Sequence, residues 1–230
     1  MNTLSVIVPF YNEQKFLEKS VTRLLENDIF DEIILSDDCS NDNSSLIAQT
    51  LSEKYEKIRY YSTTTNLGKG SALENVKNFI SSSHVIIHDA DLEYFPEDII
   101  EMFELSNENP NSLVLGSRFI GNKERKNIYL RTFLANKIMS YFFSIINFYK
   151  VSDVATCYKL MPTSFFKNIE LKENGFSIEI ELLSKYLKIN KSILEVPIKY
   201  EGRSYEDGKK IKTSDGFKYL FNTIRYRLEN

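Results

Sequence analysis

Three carboxylates at alternate positions follow an apolar run near the middle of the chain. Residues 85–87 are Val-Ile-Ile, and Asp89, Asp91 and Glu93 come shortly after them. In an extended chain, side chains two residues apart point the same way, so we expect these three to face one spot. Such clustered negative charge is costly without a cation, and Mg²⁺ or Mn²⁺ prefers oxygen ligands of this kind. The pattern predicts a metal-assisted diphosphate site; the alternative is an acidic loop before the helix that Pro96 begins.

The elements that must position these carboxylates alternate between strand and helix in the first half of the chain. Short Val/Ile-rich runs predict buried strands, and the segments between them have apolar residues at helical spacing. The predicted strands are residues 4–9, 32–36, 58–61, 85–87 and 112–115, and the predicted helices are residues 13–26, 44–55, 71–80 and 96–105. This alternation predicts an α/β fold with a mostly parallel sheet and helices on both faces.

Polar clusters come at the carboxyl ends of four predicted strands. In sheets of this class, ligands bind just beyond those ends, so the clusters predict a single site. The clusters are Asn12 with Glu13, Asp37 with Asp38, Asp89 with Asp91, and Arg118.

The second half of the chain has fewer and less regular signals. It predicts a long aromatic-rich helix at residues 128–149, a short extended piece at 153–161 and a helix at 175–189. Residues 192–200 predict a strand that Pro197 places at a sheet edge, and residues 214–228 a final amphipathic helix. With no repeat or linker, we interpret residues 1–230 as one domain whose C-terminal part covers the site.

Composition bounds the class of protein. The 230 residues carry a net charge of −3, which gives no support for nucleic-acid binding. The two cysteines, Cys39 and Cys157, lie far apart and indicate a reducing compartment. The first residues lack the zones of a signal peptide, and no apolar run is long enough to span a bilayer. These features together predict a cytoplasmic protein.

Six motifs in a fixed order carry a family resemblance. They are residues 8–13 (Val-Pro-Phe-Tyr-Asn-Glu), 37–42 (Asp-Asp-Cys-Ser-Asn-Asp), 66–70 (Asn-Leu-Gly-Lys-Gly), 89–91 (Asp-Ala-Asp), 116–119 (Gly-Ser-Arg-Phe), and Asp153 with 157–159 (Cys-Tyr-Lys). In these motifs the chain resembles the family-two glycosyltransferases of the GT-A fold, especially their polyprenyl-phosphate, dolichyl-phosphate mannose synthase-like branch. The resemblance implies a Rossmann-like GT-A sheet and a nucleoside-diphosphate sugar as donor substrate.

The resemblance also assigns candidate donor-binding residues. It implies that the nucleotide's base and ribose lie against Pro9, Tyr11, Glu13 and Asp38, and that Asp89, Ala90 and Asp91 contact the donor. Asp89 and Asp91 resemble the family's metal and diphosphate anchors, with Glu93 as a further metal ligand. The implied cofactor is a divalent metal, Mg²⁺ or Mn²⁺. The glycines Gly68 and Gly70 are interpreted as close-packing positions beneath the donor.

Catalytic roles follow from the same resemblance. Arg118, Arg203 and Lys209 match the cations that the branch keeps for phosphate, and Asp91 and Arg118 are expected to stabilise the departing diphosphate. A lipid phosphate acceptor is already an anion and needs little help from a base. A hydroxyl acceptor would need a carboxylate to take its proton; Asp153 is the first candidate for that base and Glu179 the second.

The implied activity is inverting transfer of a hexose, from a donor of the GDP-mannose or UDP-glucose type, to a polyprenyl phosphate. Residues 1–120 would form the nucleotide-sugar-binding half and residues 121–230 the acceptor side. Three alternatives stay open. They are transfer to a glycan hydroxyl in cell-surface polysaccharide synthesis, a sugar-phosphate nucleotidyltransferase, and an inactive nucleotide-sugar-binding module.

The helix predicted at residues 128–149 bears on the protein's partners. Its aromatic side chains are interspersed with Arg131 and Lys137, and Lys150 follows, as in helices that lie on a membrane surface. The alternative is a core or dimer helix. We therefore expect a cytoplasmic protein that contacts the cytoplasmic membrane face peripherally or through a separate membrane protein, and an oligomer is compatible with the same helix.

Overall fold

The computed structural model describes residues 2–190, 192–203 and 213–229, except for the side chains of residues 213–215 and 217. Its first half alternates strands and helices, as predicted. The strands are β1 (Leu4–Phe10), β2 (Glu32–Asp37), β3 (Ile58–Ser62), β4 (His84–Ile87) and β5 (Leu113–Ser117). The helices are α1 (Leu17–Leu25), α2 (Ser44–Lys54), α3 (Lys69–Val76) with a 3-10 turn at Lys77–Phe79, and α4 (Asp98–Glu108).

The second half adds four helices and four short strands within the described residues. The helices are α5 (Leu130–Asn147), α6 (Thr163–Asn168), α7 (Ile178–Ile189) and α8 (Thr213–Leu228). The strands are β6 (Arg125–Lys126), β7 (Lys159–Pro162), β8 (Ile193–Pro197) and β9 (Tyr200–Glu201). The predicted positions of α5, α7 and α8 are confirmed. Helix α6 was not predicted, because its six residues are too few to give a periodic apolar pattern.

Seven strands form one sheet in the order β3-β2-β1-β4-β7-β5-β8. All neighbours pair in parallel except β7, which runs antiparallel to β4 and β5. The mostly parallel sheet is therefore confirmed. Strand β7 is the exception, and it takes up only the last residues of the extended piece predicted at 153–161. Strand β8 lies at the sheet edge, as Pro197 predicted. The order reverses between β1 and β4, and in open α/β sheets ligands bind at such a reversal.

Apolar side chains pack on both faces of the sheet. Along β1, Val6 and Val8 belong to one buried cluster and Ile7 to the other. This alternation is the period of two that a strand imposes, so a continuous apolar run serves both layers. The central strands are buried on both faces, and they fix the strand ends and with them the loops that carry the polar clusters.

Helix α5 packs beside α8 and has one buried and one exposed apolar face. Ser140 and Phe143 are buried. The opposite face, at helical spacing, consists of Leu130, Leu134, Ile138, Tyr141 and Ile145, and Phe148 follows just beyond the end of the helix; all six are exposed. We call these six residues the α5 outer face. Among the described helices, we find none with the length and apolar character that crossing a bilayer requires.

Candidate active site

A cavity of about 310 Å³ opens beyond the carboxyl ends of β1 and β4. Helices α5, α7 and α8 contribute its other walls through residues such as Met139, Glu179 and Tyr219. Ten residues selected from the sequence line it. They are Pro9, Tyr11, Glu13, Asp38, Asp89, Ala90, Asp91, Glu93, Arg118 and Arg203. Lys209 lies outside the described residues.

The acidic segment does not continue β4. That strand ends at Ile87, and Leu92 has a left-handed backbone with φ of 64°. Alternation of side chains holds only while the chain stays extended, so strand geometry does not set the directions of these three carboxylates. Within the described ranges, no group of three His, Cys, Asp or Glu side chains could hold a metal ion. Asp89, Asp91 and Glu93 all line the cavity, but they do not form a group of three metal ligands.

Asp91 and Glu93 contact different groups of Arg203. Asp91 accepts a hydrogen bond from Arg203 Nη2 at 3.2 Å. Glu93 accepts one from the Arg203 backbone N–H at 2.7 Å and one from the Tyr200 hydroxyl at 2.5 Å. The Arg203 guanidinium also reaches Glu13, with two contacts of 3.2 Å. Glu93 thus anchors the backbone of Arg203, whose side chain bridges two acids of the cavity.

The site has more negative charge around Asp91 than Arg203 offsets. Burial, together with the charges of Glu93 and Asp89, raises the pKa of the Asp91 carboxyl to about 7. A divalent cation would relieve this excess. Mg²⁺ commonly binds through one or two carboxylates and fills its other positions with water and substrate phosphate, and Mn²⁺ also suits carboxylate ligands. Asp91, which lines the cavity, fits that mode of binding without a cluster of three protein ligands.

Asp89 has a protein cation as its partner. Lys69 Nζ lies 2.7 Å from Asp89 Oδ1 and 2.8 Å from Glu179 Oε1. Glu179 Oε2 in turn lies 2.5 Å from Lys159 Nζ. Both carboxylate oxygens of Glu179 are therefore engaged by ammonium groups, which argues against its role as a proton acceptor.

Asp37 and Asp38, at the end of β2, differ in burial and in their hydrogen-bond partners. Asp37 is fully buried and accepts hydrogen bonds from Ser45 and Tyr60, so it supports the loop rather than the cavity. Asp38 lines the cavity and accepts hydrogen bonds from the backbone N–H groups of Leu67 and Gly68. Burial raises the pKa of the Asp38 carboxyl. Asp38 therefore ties the loop before α3 to the end of β2.

Close packing explains the two glycines that flank Lys69. Gly68 has φ of +110°, and a Cβ there would lie 2.4 Å from the carbonyl oxygen of Asn174. A Cβ on Gly70 would lie 1.7 Å from the carbonyl oxygen of Glu173. The interpretation of both glycines as close-packing positions is confirmed, and their packing brings Lys69 beside the segment that leads to α7.

Asp153 holds Arg118 rather than facing the cavity. Its two oxygens accept hydrogen bonds from Arg118 Nε at 2.7 Å and Nη2 at 2.8 Å, and it is fully buried. Arg118 lines the cavity and stacks over Tyr200, 5.0 Å from the ring centre. The candidate assignment of Asp153 as a general base does not fit this geometry, because both oxygens are occupied by a guanidinium that lies between it and the cavity.

Sequence reasoning missed several lining residues. Lys69 was passed over in favour of its neighbouring glycines, although a lysine between two glycines at a helix start is a usable signal. Tyr94 and Tyr200 gave no local signal, since only the fold brings them to the acids. Lys159 belongs to the motif at residues 157–159 but received no role of its own, and it lies behind the cavity rather than in its lining. His88 is buried, and its imidazole contacts the hydroxyl groups of Ser20 and Tyr158.

Comparison with known proteins identifies the family. The model of the family described as Glycosyl transferase family 2 matches residues 5–170. The chain belongs to glycosyl transferase family 2. The predicted family and the predicted enzyme class, a glycosyltransferase, are thereby confirmed.

Two curated family-2 relatives act on dolichyl phosphate according to their names. The dolichol-phosphate mannosyltransferase of Pyrococcus furiosus is 29% identical over 229 residues, which cover 96% of this chain and 63% of that protein. The UDP-N-acetylglucosamine–dolichyl-phosphate N-acetylglucosaminyltransferase of Methanococcus voltae is 26% identical over 247 residues, covering 97% and 95%. The chain thus spans less than two thirds of the Pyrococcus relative and nearly all of the Methanococcus one.

Solved structures of other glycosyltransferases share the fold. Glucosyl-3-phosphoglycerate synthase from Mycobacterium tuberculosis in complex with UDP superposes with a TM-score of 0.74 at 17% identity, covering 98% of this chain and 80% of that chain. The same enzyme with Mn²⁺, UDP and phosphoglyceric acid gives a TM-score of 0.75. The GT-A fold prediction is confirmed by this likeness.

Proposed function

We propose that this glycosyltransferase moves a hexose from a nucleoside-diphosphate sugar to the phosphate of a polyprenyl phosphate, with inversion. The observation that carries the acceptor assignment is the state of the two candidate bases. Asp153 is paired with Arg118, and Glu179 is held by Lys69 and Lys159. A hydroxyl acceptor needs a carboxylate to take its proton, whereas a phosphate acceptor is already ionised near neutral pH. The names of both dolichyl-phosphate relatives support the same acceptor.

The donor side of the proposal rests on the acids and cations of the cavity. Asp91, with support from Glu93, would hold a divalent metal, Mg²⁺ or Mn²⁺, beside the diphosphate. When bound, that ion supplies positive charge that offsets the charge of the departing nucleoside diphosphate. Arg118 and Arg203 line the same cavity and offer guanidinium groups that match phosphate oxygens. Tyr11, Glu13 and Asp38 are proposed to bind the base and ribose.

The proposed step balances without a base. An oxygen of the acceptor phosphate attacks the anomeric carbon from the side opposite the diphosphate, and a new C–O bond forms. The bond between the anomeric carbon and the diphosphate oxygen breaks, and its electron pair leaves with the nucleoside diphosphate. Arg118, held in orientation by Asp153, is proposed to place the acceptor phosphate for this attack.

The α5 outer face supports a peripheral position on a membrane. Six apolar side chains are exposed along one side of α5, and Phe221 and Leu228 of the neighbouring α8 are exposed as well. Arg131 and Lys150 lie exposed near the two ends of α5, where they suit anionic lipid headgroups. Helix α5 lines the cavity with Thr132, Asn136 and Met139, on the side away from its outer face, so a lipid surface at the outer face would lie about one helix width from the site.

A donor and acceptor panel tests the proposal. The protein is incubated with Mg²⁺ or Mn²⁺, one of several GDP- or UDP-hexoses, and a short-chain polyprenyl phosphate. We expect a nucleoside diphosphate and a lipid-linked hexose in equal amounts from one donor. Transfer only to glycan hydroxyls, or formation of a nucleotide sugar from a sugar phosphate, would contradict the proposal. The same panel identifies the nucleotide and the sugar.

A further inference from the structure

A line of four buried charges runs from the sheet to the cavity. Lys159 on β7 lies 2.5 Å from Glu179 on α7, and Glu179 lies 2.8 Å from Lys69 on α3. Lys69 lies 2.7 Å from Asp89 in the loop after β4. We call these four residues the buried charge chain. The signs alternate along it, so its two positive and two negative charges sum to zero.

Exposure rises along the buried charge chain toward the cavity. The side chain of Lys159 is 0% exposed, Glu179 3%, Lys69 10% and Asp89 26%. Lys159 also donates to the backbone carbonyl groups of Val154 and Thr156. Its ammonium therefore has three protein acceptors and lies deep behind the site, whereas Glu179, Lys69 and Asp89 line the cavity, with Asp89 the most exposed of them.

Stability alone does not explain such an arrangement. A buried ion pair gains little over a well-packed apolar pair, because removing both charges from water offsets their attraction. Removing one partner, in contrast, leaves an uncompensated buried charge. The buried charge chain thus holds its members in fixed positions at no clear gain in stability, and the member at its open end lies next to the proposed metal ligand.

Lys159 decides how Lys69 is shared. Lys69 contacts two carboxylates, Asp89 and Glu179. Because Lys159 neutralises the charge of Glu179 from the other side, the positive charge of Lys69 remains available to neutralise Asp89. Without Lys159, Glu179 would draw Lys69 inward and leave Asp89 with unbalanced negative charge beside Asp91.

We propose that Lys159 and Glu179 are positioning residues that act through Lys69 to set the orientation and effective charge of Asp89. They thereby set how strongly the neighbouring Asp91 site attracts a divalent cation. This inference rests on the proposed metal-dependent function, and it gives Glu179 a role other than proton transfer. Neither Lys159 nor Glu179 needs to contact the metal for this role.

Opposite changes of charge within the buried charge chain should have opposite effects on Mn²⁺ binding. Lys159→Met makes the net charge of the buried charge chain more negative by one, and Glu179→Gln makes it more positive by one. We expect Lys159→Met to tighten and Glu179→Gln to weaken Mn²⁺ binding, each by about three- to tenfold at low salt. The measurement is Mn²⁺ binding to the substrate-free protein, followed by electron paramagnetic resonance. A defect in folding alone would weaken binding in both variants.

The charge-balanced double variant Lys159→Met/Glu179→Gln keeps the pair of Lys69 with Asp89 and should bind Mn²⁺ like the wild type. The double variant Lys69→Met/Glu179→Gln is also balanced, but it frees Asp89 and should bind Mn²⁺ more tightly. These two variants decide the matter even where a single variant fails to fold. Lys185→Met is the matched control, because it removes a lysine paired with Glu181 on α7 outside the cavity lining and should leave Mn²⁺ binding unchanged.

The outcomes separate this inference from the proposed function. Wild-type Mn²⁺ binding, with shifts in the same direction or no shift among folded variants, would overturn the inference and leave the function in place. A wild-type protein that binds neither Mn²⁺ nor UDP nor GDP would overturn the proposed function, and the inference would fall with it. Opposite shifts, cancelled in the first double variant, are the result we expect.

Discussion

At the scale of single residues, the partner of each carboxylate determines its role. Asp89 is neutralised by Lys69, and Asp153 by Arg118. Asp91 has Arg203 at 3.2 Å, and burial together with two acidic neighbours raises the pKa of its carboxyl. Of these three aspartates, Asp91 carries the least compensated negative charge, which is why we propose it as the metal ligand.

Asp91→Asn tests that assignment. Replacing the carboxylate with an amide removes the charge that would hold the cation, and we expect loss of Mn²⁺ binding and a fall in turnover of about a hundredfold or more. Asp28→Asn is the control, because it changes an exposed carboxylate that does not line the cavity, and it should behave like the wild type. Retention of full activity and Mn²⁺ binding by Asp91→Asn would refute the metal assignment.

Asp153→Asn distinguishes a positioning carboxylate from a base. The amide can accept only part of the bidentate contact with Arg118, so we expect the KM for polyprenyl phosphate to rise about tenfold, with a smaller loss in kcat. The pH dependence of kcat should keep its shape, because Asp153 takes no proton. A loss confined to kcat, together with the disappearance of an acidic limb from the pH profile, would restore the base role.

At the scale of elements, strand pairing and helix packing decide what becomes of a sequence pattern. The segment after β4 and helix α5 are two examples. The alternation of acids after Ile87 has the spacing of a strand, but the strand pairs with β1 only as far as Ile87. Helix α5 has apolar residues on nearly every side, and packing covers only the side of Ser140 and Phe143. An apolar surface this long on one helix marks an interaction site.

Charge on the α5 outer face should prevent lipid binding. Ile138 is 63% exposed and Tyr141 71% exposed, so Ile138→Glu and Tyr141→Glu leave the core intact. We expect each to reduce flotation with vesicles that contain anionic lipid by about tenfold, because a carboxylate opposes insertion and repels the headgroups. Leu46→Glu, at an equally exposed position on α2, is the matched control.

Two results would contradict this placement. Equal flotation of the wild type and both glutamate variants would show that the α5 outer face does not meet the lipid. A wild type that fails to float but forms a dimer, which Ile138→Glu dissociates, would show that the face binds a second copy of the chain.

At the scale of the whole molecule, burial of ionisable side chains in the sheet makes the free energy of unfolding depend on pH. His84 on β4 is buried and its imidazole contacts the carbonyl oxygen of Pro110. Burial disfavours the charged imidazolium and lowers the pKa of His84 from 6.5. Protonation therefore favours the unfolded chain in the acid range.

His84→Gln should reduce the acid sensitivity of the fold. Above the ordinary pKa of 6.5, His84 is neutral in both states and contributes no pH dependence. Below it, the unfolded chain binds the proton first, so wild-type stability falls as pH falls toward the lower folded-state pKa. Between about pH 7.5 and about pH 5.5, urea denaturation should show a smaller loss for His84→Gln than for the wild type. Equal losses would show that His84 does not contribute.

The sequence alone determined the alternation of elements, the mostly parallel sheet and the place of the site at its carboxyl edge. Each of these follows from local patterns, because apolar periodicity and strand–helix order need no knowledge of distant residues. The motifs were specific enough to give the family, and nearly all the residues selected from them line one cavity.

Only the tertiary structure decided which groups share charge. Lys69, Lys159 and Glu179 come from three separate elements, and nothing local pairs them with Asp89. The same holds for Arg118 with Asp153, 35 residues apart, and for Arg203 with Glu13, 190 residues apart. Electrostatic partners are set by distances of a few ångströms between packed elements, so a chain's sequence names the ionisable groups while its packing decides their neighbours.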